Sequence, residues 1–292
     1  MLRKRLLLTL EMIKFEHSVF ALPFALTGAL LAFRENGYQH AATKILWIIV
    51  AMVGARSAAM AFNRLVDASI DARNPRTKMR HLPTGLLSRS FAWGFVAVSA
   101  GVFFLAAGAL NRWCLRLAPV ALAIVFLYSF TKRFTSFSHL VLGFSLGMAP
   151  AAAWIAVAGS LDPRILWLAA AVAFWTAGFD VIYSCQDYEF DTAEALWSVP
   201  RRLGIRGALV VARVLHILMV ACLLLLIYQL SLGALALAGV AAVVALLAYE
   251  HSLVKAHDLS HINAAFFTMN GYVSMLFFLF WAADILFLDP GA

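Results

Sequence analysis

Apolar stretches of about 20 residues recur along the chain, and short polar segments separate them. Stretches of this length suit membrane-spanning helices better than the shorter strands of a membrane barrel. The pattern predicts an all-α fold, a multi-pass membrane bundle of about nine transmembrane helices in a single domain of residues 1–292. The predicted spans lie near residues 13–33, 44–66, 91–110, 113–130, 138–158, 164–184, 207–229, 231–250 and 264–288.

The composition supports a membrane protein. Of the 292 residues, 63% are hydrophobic and 13% are charged, and the mean hydropathy is +0.87. Soluble domains are closer to roughly half apolar and a quarter charged, so the composition excludes that class. The three cysteines are isolated in the sequence, which favours buried apolar positions over a disulfide framework or a metal site.

The basic residues are distributed unevenly between the two ends of the predicted spans. With the N-terminus in the cytoplasm, the outer ends hold only Arg34, Lys44, Arg112, Arg116 and Arg164. The other loop cations then lie on the cytoplasmic side, which predicts a multi-pass protein of the inner membrane with a cytoplasmic N-terminus. The net charge of +8 is explained by this topology and by attraction for anions, so no nucleic-acid partner is expected.

Two polar motifs follow long apolar runs, and both are predicted to face the cytoplasm. Each has polar residues at positions i, i+4 and i+8, which share one face of an α-helix. The first motif consists of Asn63, Asp67 and Asp71, and the second motif consists of Tyr183, Asp187 and Asp191. Carboxylates at the end of an apolar helix are costly unless they pair or bind a cation. Because the ligands are all oxygens, the motifs favour a shared pair of Mg²⁺ ions over zinc.

Basic side chains accompany both motifs and suggest a site for a phosphorylated ligand. The loop after the first motif contains Arg73, Arg76, Lys78 and Arg80. The end of the fourth span contains Lys132 and Arg133, which follow Tyr128. Arg56 lies two helical turns before Asn63 on the same face, and a charge within a membrane span indicates function by default. Asp180 and Tyr183 precede the second pair of aspartates and are expected to orient its ligands.

Taken together, these motifs resemble the UbiA superfamily of intramembrane aromatic prenyltransferases. The residues that carry the resemblance are Asn63-x-x-x-Asp67-x-x-x-Asp71 with Arg76 after it, Tyr128-x-x-x-Lys132-Arg133, and Asp187-x-x-x-Asp191. The resemblance implies a helical bundle around a central cavity, embedded in the lipid bilayer. The resemblance further implies that a polyprenyl diphosphate binds there through Mg²⁺ held by the two acidic motifs, and that its prenyl group passes to an aromatic acid in ubiquinone or menaquinone biosynthesis.

The resemblance also implies roles for individual residues. The expected Mg²⁺ ligands are Asn63, Asp67, Asp71, Asp187 and Asp191. The same four aspartates and Arg133 are the expected catalytic residues, since the metal and the cation neutralise charge on the departing diphosphate. The expected substrate-binding residues are Asn63, Arg56, Arg76, Lys132, Tyr128 and Tyr183.

The acceptor is left open by the sequence. Within the superfamily, the chain is most similar to the 4-hydroxybenzoate polyprenyltransferases and to the related enzyme of the futalosine route to menaquinone. The stretch 13–26 looks more like the second group, because it lacks the Arg-x-Asp-Lys-Pro pattern that is common in proteobacterial ubiquinone enzymes. Both 4-hydroxybenzoate and a dihydroxynaphthoate-type acid therefore stay open as the acceptor.

Two other classes of function compete with an enzyme. A secondary transporter with a cytoplasmic acidic ion site also uses charges in membrane helices, but those charges are expected near the middle of the bilayer. A non-catalytic assembly subunit would not need so many regularly spaced ionisable groups. The position of the aspartates at the helix ends favours the enzyme over both alternatives.

Overall fold

The computed structural model of the protein describes residues 2–14 and 21–287, and the described residues form helices and no β-strand. The α-helices are α1 (Leu2–Met12), α2 (Leu22–Asn36), α3 (Ala41–Arg73), α4 (Arg89–Leu110), α5 (Arg112–Thr131), α6 (Ser138–Ala158), α7 (Ile165–Ser184), α8 (Tyr188–Ala193), α9 (Val199–Leu230), α10 (Ala234–Leu253) and α11 (Asn270–Phe287). A 3₁₀ turn at Cys185–Asp187 joins α7 to α8, and a π-helical segment at Ala264–Met269 precedes α11.

The helices confirm the predicted all-helical membrane fold. Within the described residues, eight helical segments are long and apolar enough to cross a bilayer. Helix α2 has only 15 residues, and the predicted span 13–33 also includes residues 15–20, which lie outside the described part. The chain is therefore an integral membrane protein, and its described residues contain these eight segments together with the shorter apolar helix α2, as the hydropathy pattern predicts.

One predicted bound is clearly wrong, because α9 begins at Val199 and not near residue 207. The Ser198 hydroxyl caps this helix by accepting a hydrogen bond from the Arg201 amide at 3.3 Å, and Pro200 lies in the first turn. Gly204 then interrupts the helix with a φ of 70°, a backbone conformation that glycine adopts without strain. The capped first turn is polar, so hydropathy alone does not detect it.

The chain divides into two compact units. The first unit contains α1, α3 from Leu46 onward, α4, and α5 as far as Phe130. The second contains α2, the beginning of α3, and all helices from α6 to α11. The expectation of a single domain stays a prediction.

The first unit has an apolar core between α1, α3 and α4, formed by Met12, Ile13, Ala61, Leu65, Leu87, Ala92 and Val96. Phe62 on α3 stacks on Phe126 of α5, with ring centroids 4.1 Å apart. Gly54 lets α3 approach α4 closely, since a Cβ atom there would lie 2.9 Å from the Phe103 amide nitrogen. These contacts hold the end of α3, which carries the first acidic motif.

In the second unit, α6 and α7 pack along two glycines of α6, Gly143 and Gly147, which we call the glycine seam. A Cβ atom at Gly147 would lie 2.5 Å from the Ala169 carbonyl oxygen, and one at Gly143 would collide with the Ala173 carbonyl. Helices in lipid gain little from apolar burial against each other, so small residues that allow close backbone contact are a main source of packing energy.

We expect Gly147→Ala to destabilise the protein, because its methyl group overlaps the backbone of α7. The expected loss is about 1–3 kcal/mol, the usual cost of overpacking. The matched control is Gly101→Ala on α4, where a Cβ atom meets nothing within 4 Å. Thermal unfolding in detergent micelles measures both variants, and equal melting temperatures would contradict the proposed packing.

Candidate active site

The first acidic motif lies on one continuous helix, because α3 extends to Arg73. Asn63, Asp67 and Asp71 therefore share a helix face as the spacing predicts. Asp67 and Asp71 are only 3% and 4% exposed. The Asn63 amide nitrogen donates to a carboxylate oxygen of Asp67 at 3.1 Å and lies 3.5 Å from the Ser129 hydroxyl on α5. A buried carboxylate at this position is thus stabilised partly by a neutral amide.

Asp71 is paired with Arg80 from the loop after α3. A single nitrogen, Nη1 of Arg80, donates to both carboxylate oxygens at 2.8 Å, and the Thr77 hydroxyl donates to the Asp71 backbone carbonyl at 3.2 Å. The turn between them is held by the Asn74 side chain, which accepts a hydrogen bond from the Arg76 amide at 2.9 Å. Arg76, an expected substrate-binding residue, has an exposed side chain, and Arg80 from the same loop contacts the motif at Asp71.

Two further arginines of α3 accompany the motif. Arg64 donates from Nε to the Met12 carbonyl at 3.3 Å, and its charge lies close enough to Asp67 and Asp71 to interact with both. Arg56, two turns earlier, has a buried Nε without a hydrogen-bond partner among the described residues. A guanidinium nitrogen in that state has an unused capacity to donate.

The second acidic motif lies where α7 ends. Helix α7 stops at Ser184, Asp187 closes the 3₁₀ turn, and Asp191 lies on the short α8. A 3₁₀ turn rotates by about 120° per residue, so the shared-face spacing of a regular α-helix applies here only approximately. Both carboxylates are half-buried.

Asp191 lies beside basic and hydroxyl side chains of its own unit. The Ser198 side chain lies near its carboxylate, and the Lys132 charge is near enough to act on it. The Lys132 carbonyl accepts a hydrogen bond from the Trp197 amide at 2.7 Å, and the Asp191 carbonyl accepts one from the Leu196 amide at 2.9 Å. The loop before α9 is thereby hydrogen-bonded to the backbone of both Lys132 and Asp191.

The predicted aromatic residues have different environments. Tyr183 packs on Phe266 of the π-helical segment, with ring centroids 4.1 Å apart, and lies near Phe267. Tyr128 is half-buried on α5 of the first unit, and Arg133 is half-buried just beyond it in the sequence. Their expected roles in binding substrate stay predictions.

Asp180 has a partner that the sequence did not reveal. Its carboxylate lies 2.6 Å from Nδ1 of His139 on α6. Asp180 was expected to orient ligands of the second motif. Its contact with His139 was not predicted, because His139 is 41 residues away and follows no motif spacing. The signal for it was a single histidine at the start of an apolar helix, which is weak.

The UbiA prenyltransferase family model matches residues 21–283 of the chain. The protein belongs to the UbiA family. The 4-hydroxybenzoate octaprenyltransferase of Vibrio atlanticus (strain LGP32) is 32% identical over 244 residues, which cover 80% of this chain and 83% of that protein. The enzyme class is thus prenyltransferase.

Solved structures of UbiA homologues share the fold. The apo structure of a UbiA homologue from Aeropyrum pernix K1 superposes with a TM-score of 0.84 at 34% identity, covering 93% of this chain and 98% of that chain. A UbiA homologue from Archaeoglobus fulgidus, bound to DMAPP and Mg²⁺, has a TM-score of 0.73 at 20% identity, covering 95% and 98%. The second likeness concerns the fold alone.

The donors in this UbiA-family chain fit Mg²⁺ that shares its coordination with a phosphate ligand. In the described part of the chain, no three His, Cys, Asp or Glu side chains come together as a metal site of their own. Each motif does supply two carboxylates, at Asp67 and Asp71 and at Asp187 and Asp191. Mg²⁺ in proteins is commonly held by one or two carboxylates, with water and substrate phosphates completing the octahedron.

We expect Arg80→Ala to destabilise the metal-free protein, because it leaves the buried Asp71 carboxylate without its cation. The expected loss is about 1–3 kcal/mol. Adding Asp71→Asn should restore part of this stability, since the neutral amide no longer needs a counter-charge. Thermal unfolding without divalent metal measures the effect, with Arg89→Ala, an exposed arginine of α4, as the control. Equal melting temperatures for the two alanine variants would argue against the pairing.

Proposed function

We propose that this UbiA-family enzyme transfers a polyprenyl group from polyprenyl diphosphate to a 4-hydroxybenzoate-like aromatic acid in quinone biosynthesis. The observation that carries the proposal is the presence of cations near carboxylates at the ends of apolar helices. Asp71 forms an ion pair with Arg80, and the Lys132 charge lies near Asp191. Carboxylates that bind a metal and cations that bind phosphate oxygens are both needed to hold a metal diphosphate. A polyprenyl tail is itself a lipid, which explains a reaction within the bilayer.

In this proposal, Asn63, Asp67, Asp71, Asp187 and Asp191 supply oxygen ligands to Mg²⁺. When bound, Mg²⁺ neutralises the negative charge that develops on the departing diphosphate. Lys132, Arg133 and Arg76 bind the remaining phosphate charge through charge-assisted hydrogen bonds. Arg80 belongs with them, because it already contacts a carboxylate of the first motif.

Aromatic and apolar side chains protect the allylic group during transfer. Positive charge develops on the allylic carbon as the diphosphate leaves, and an aromatic face stabilises such charge. Tyr183, stacked on Phe266, supplies such a face directly before the second motif, and Tyr128 supplies another in the first unit. The apolar surroundings keep water from capturing the cation.

Arg56 is proposed to bind the carboxylate of the aromatic acceptor. Its buried Nε lacks a partner among the described residues, and an unpaired guanidinium inside a membrane protein is costly. A bound carboxylate removes that cost by accepting a bidentate hydrogen bond. Because Arg56 shares the helix face of Asp67, a second possible role is to support that carboxylate. Asn63 already fills this supporting role, since its amide donates to Asp67.

The named relatives favour 4-hydroxybenzoate as the acceptor, and hence ubiquinone biosynthesis. A dihydroxynaphthoate-type acid is the second candidate, and it corresponds to menaquinone biosynthesis. The proposed orientation places the N-terminus and both acidic motifs at the cytoplasmic face of the inner membrane, in agreement with the distribution of basic residues.

The metal requirement tests the proposal most directly. Purified enzyme with polyprenyl diphosphate and 4-hydroxybenzoate should form prenylated acid, lose activity in EDTA, and regain it with Mg²⁺. Asp67→Asn and Asp191→Asn should each lower kcat by about 100-fold or more, because each removes charge stabilisation in the transition state. Asp258→Asn, in an exposed loop, is the matched control and should keep normal turnover. Full activity in EDTA, or no prenylated product at all, would overturn the proposal.

Steady-state kinetics distinguish the two possible roles of Arg56, binding of the acceptor carboxylate and support of the acidic motif. Arg56→Ala should raise the KM for the aromatic acid by about tenfold or more, as expected when a charge-assisted hydrogen bond is lost, and should spare the KM for the prenyl diphosphate. The wild-type enzyme should prefer 4-hydroxybenzoate over 4-hydroxybenzyl alcohol, and the variant should lose this preference. A changed Mg²⁺ dependence with an unchanged acceptor KM would instead assign Arg56 to support of the acidic motif. Arg89→Ala serves as the control.

A further inference from the structure

A buried histidine–aspartate pair lies in the second unit, outside the set of expected metal and substrate ligands. His139 on α6 and Asp180 on α7 have side-chain exposures of 6% and 18%, and Nδ1 of His139 is 2.6 Å from Oδ2 of Asp180. Neither helix contains another Asp, Glu, Lys, Arg or His residue. Polar groups in such surroundings are costly to bury, so the pair calls for a functional explanation.

The hydrogen bonds of the ring define the tautomer of His139. The Val199 backbone N–H donates to Nε2 at 3.4 Å, so Nε2 acts as the acceptor. A neutral imidazole with an acceptor at Nε2 carries its proton at Nδ1, which therefore donates to Asp180. One ring thus joins three segments: the start of α6, the end of α7 and the first residue of α9.

The α9 end of this connection leads directly to the second acidic motif. Val199 follows Ser198, which caps α9 and whose side chain lies near the Asp191 carboxylate. The Lys132 charge is also close enough to Asp191 to act on it. Trp197, the residue before the cap, donates its amide to the Lys132 carbonyl at 2.7 Å.

The contacts that hold the loop of residues 194–198 include the Lys132 carbonyl, the Ser198 cap and, through the next residue, the His139 ring. The Arg201 guanidinium also donates to the Leu196 carbonyl at 2.9 Å. Leu196 adds a hydrogen bond back to the Asp191 carbonyl at 2.9 Å. Because the loop contacts both Asp191 and Lys132, a shift of the loop would move a carboxylate and a cation together. Helix α7 contributes to this anchoring through Asp180, by way of the imidazole.

We propose that His139 and Asp180 form a positioning dyad, which holds Asp191 and Lys132 in place for a magnesium diphosphate. The proposal rests on the proposed function of the site. Neither residue is placed against the substrate, so neither is a catalytic residue. Residues that support metal ligands from behind typically change metal affinity or activity by about 10- to 100-fold when replaced.

A positioning role differs from simple packing in the parameter that it changes. His139→Leu and Asp180→Leu should each raise the Mg²⁺ concentration for half-maximal activity and the KM for the prenyl diphosphate, by about tenfold or more. The KM for the aromatic acid should stay within about twofold, because the dyad acts on the diphosphate end alone. The double variant should be no worse than either single variant, since the two residues act as one unit.

Conservative replacements keep the test valid if the leucine variants fail to fold. Glutamine carries a donor and an acceptor on one amide, as a neutral imidazole does, so His139→Gln should stay close to wild type. His139→Asn has the same amide on a shorter side chain and should be impaired. His257→Leu, in the exposed loop after α10, is the control for loss of a histidine.

A binding measurement separates this proposal from the proposed function. Inorganic pyrophosphate with Mg²⁺ should raise the melting temperature of the wild-type, His257→Leu and His139→Gln proteins. It should raise that of His139→Asn and Asp180→Leu only at about tenfold higher concentration or more. This result supports the dyad even if no prenylated acid is formed. Lower stability with unchanged Mg²⁺ and diphosphate parameters, a selective change in the acceptor KM, or additive effects in the double variant would overturn it.

Discussion

The structure depends on one electrostatic constraint: carboxylates at the ends of apolar helices must be compensated. Asp67 and Asp71 are almost fully buried, and an isolated carboxylate in such surroundings would cost several kcal/mol. The protein compensates them with donors from the same unit, an amide at Asn63 and a guanidinium at Arg80. The second motif follows the same rule with Lys132 and Ser198 around Asp191. The loops after α3 and α8 are therefore held in place by their contacts with these carboxylates.

Hydropathy and helical periodicity predicted the features that depend on neighbouring residues. The all-helical membrane fold and the shared face of Asn63, Asp67 and Asp71 follow from spacing within one helix, and both are found. The break between Ser184 and Tyr188 was not predicted, because a 3₁₀ turn has nearly the same composition as the end of an α-helix. The start of α9 was missed for a related reason, since its cap and first turn are polar.

Partners that are distant in the sequence were beyond the reach of pattern analysis. Arg80 and Arg76 are four residues apart in one basic loop, and the contact of Arg80 with Asp71 depends on how the turn at Asn74 folds that loop. His139 has no motif around it and acquires its contact with Asp180 from the packing of α6 against α7. The family resemblance identified the acidic residues as one group of metal ligands. The residues that hold them in place are identified only from the three-dimensional fold.

The glycine seam has a consequence for how this enzyme tolerates change. Gly143 is one turn from His139, and Ala177, which a Cβ atom at Gly143 would approach to 3.2 Å, is almost one turn from Asp180. Histidine and aspartate are short side chains, so they can touch only because the two helix backbones are in contact beside them. A larger residue in the seam would lengthen that gap and release the loop beside Asp191 without altering any residue of the site. Random mutagenesis should therefore find inactive variants along an apolar, lipid-embedded helix contact that carries no chemistry of its own.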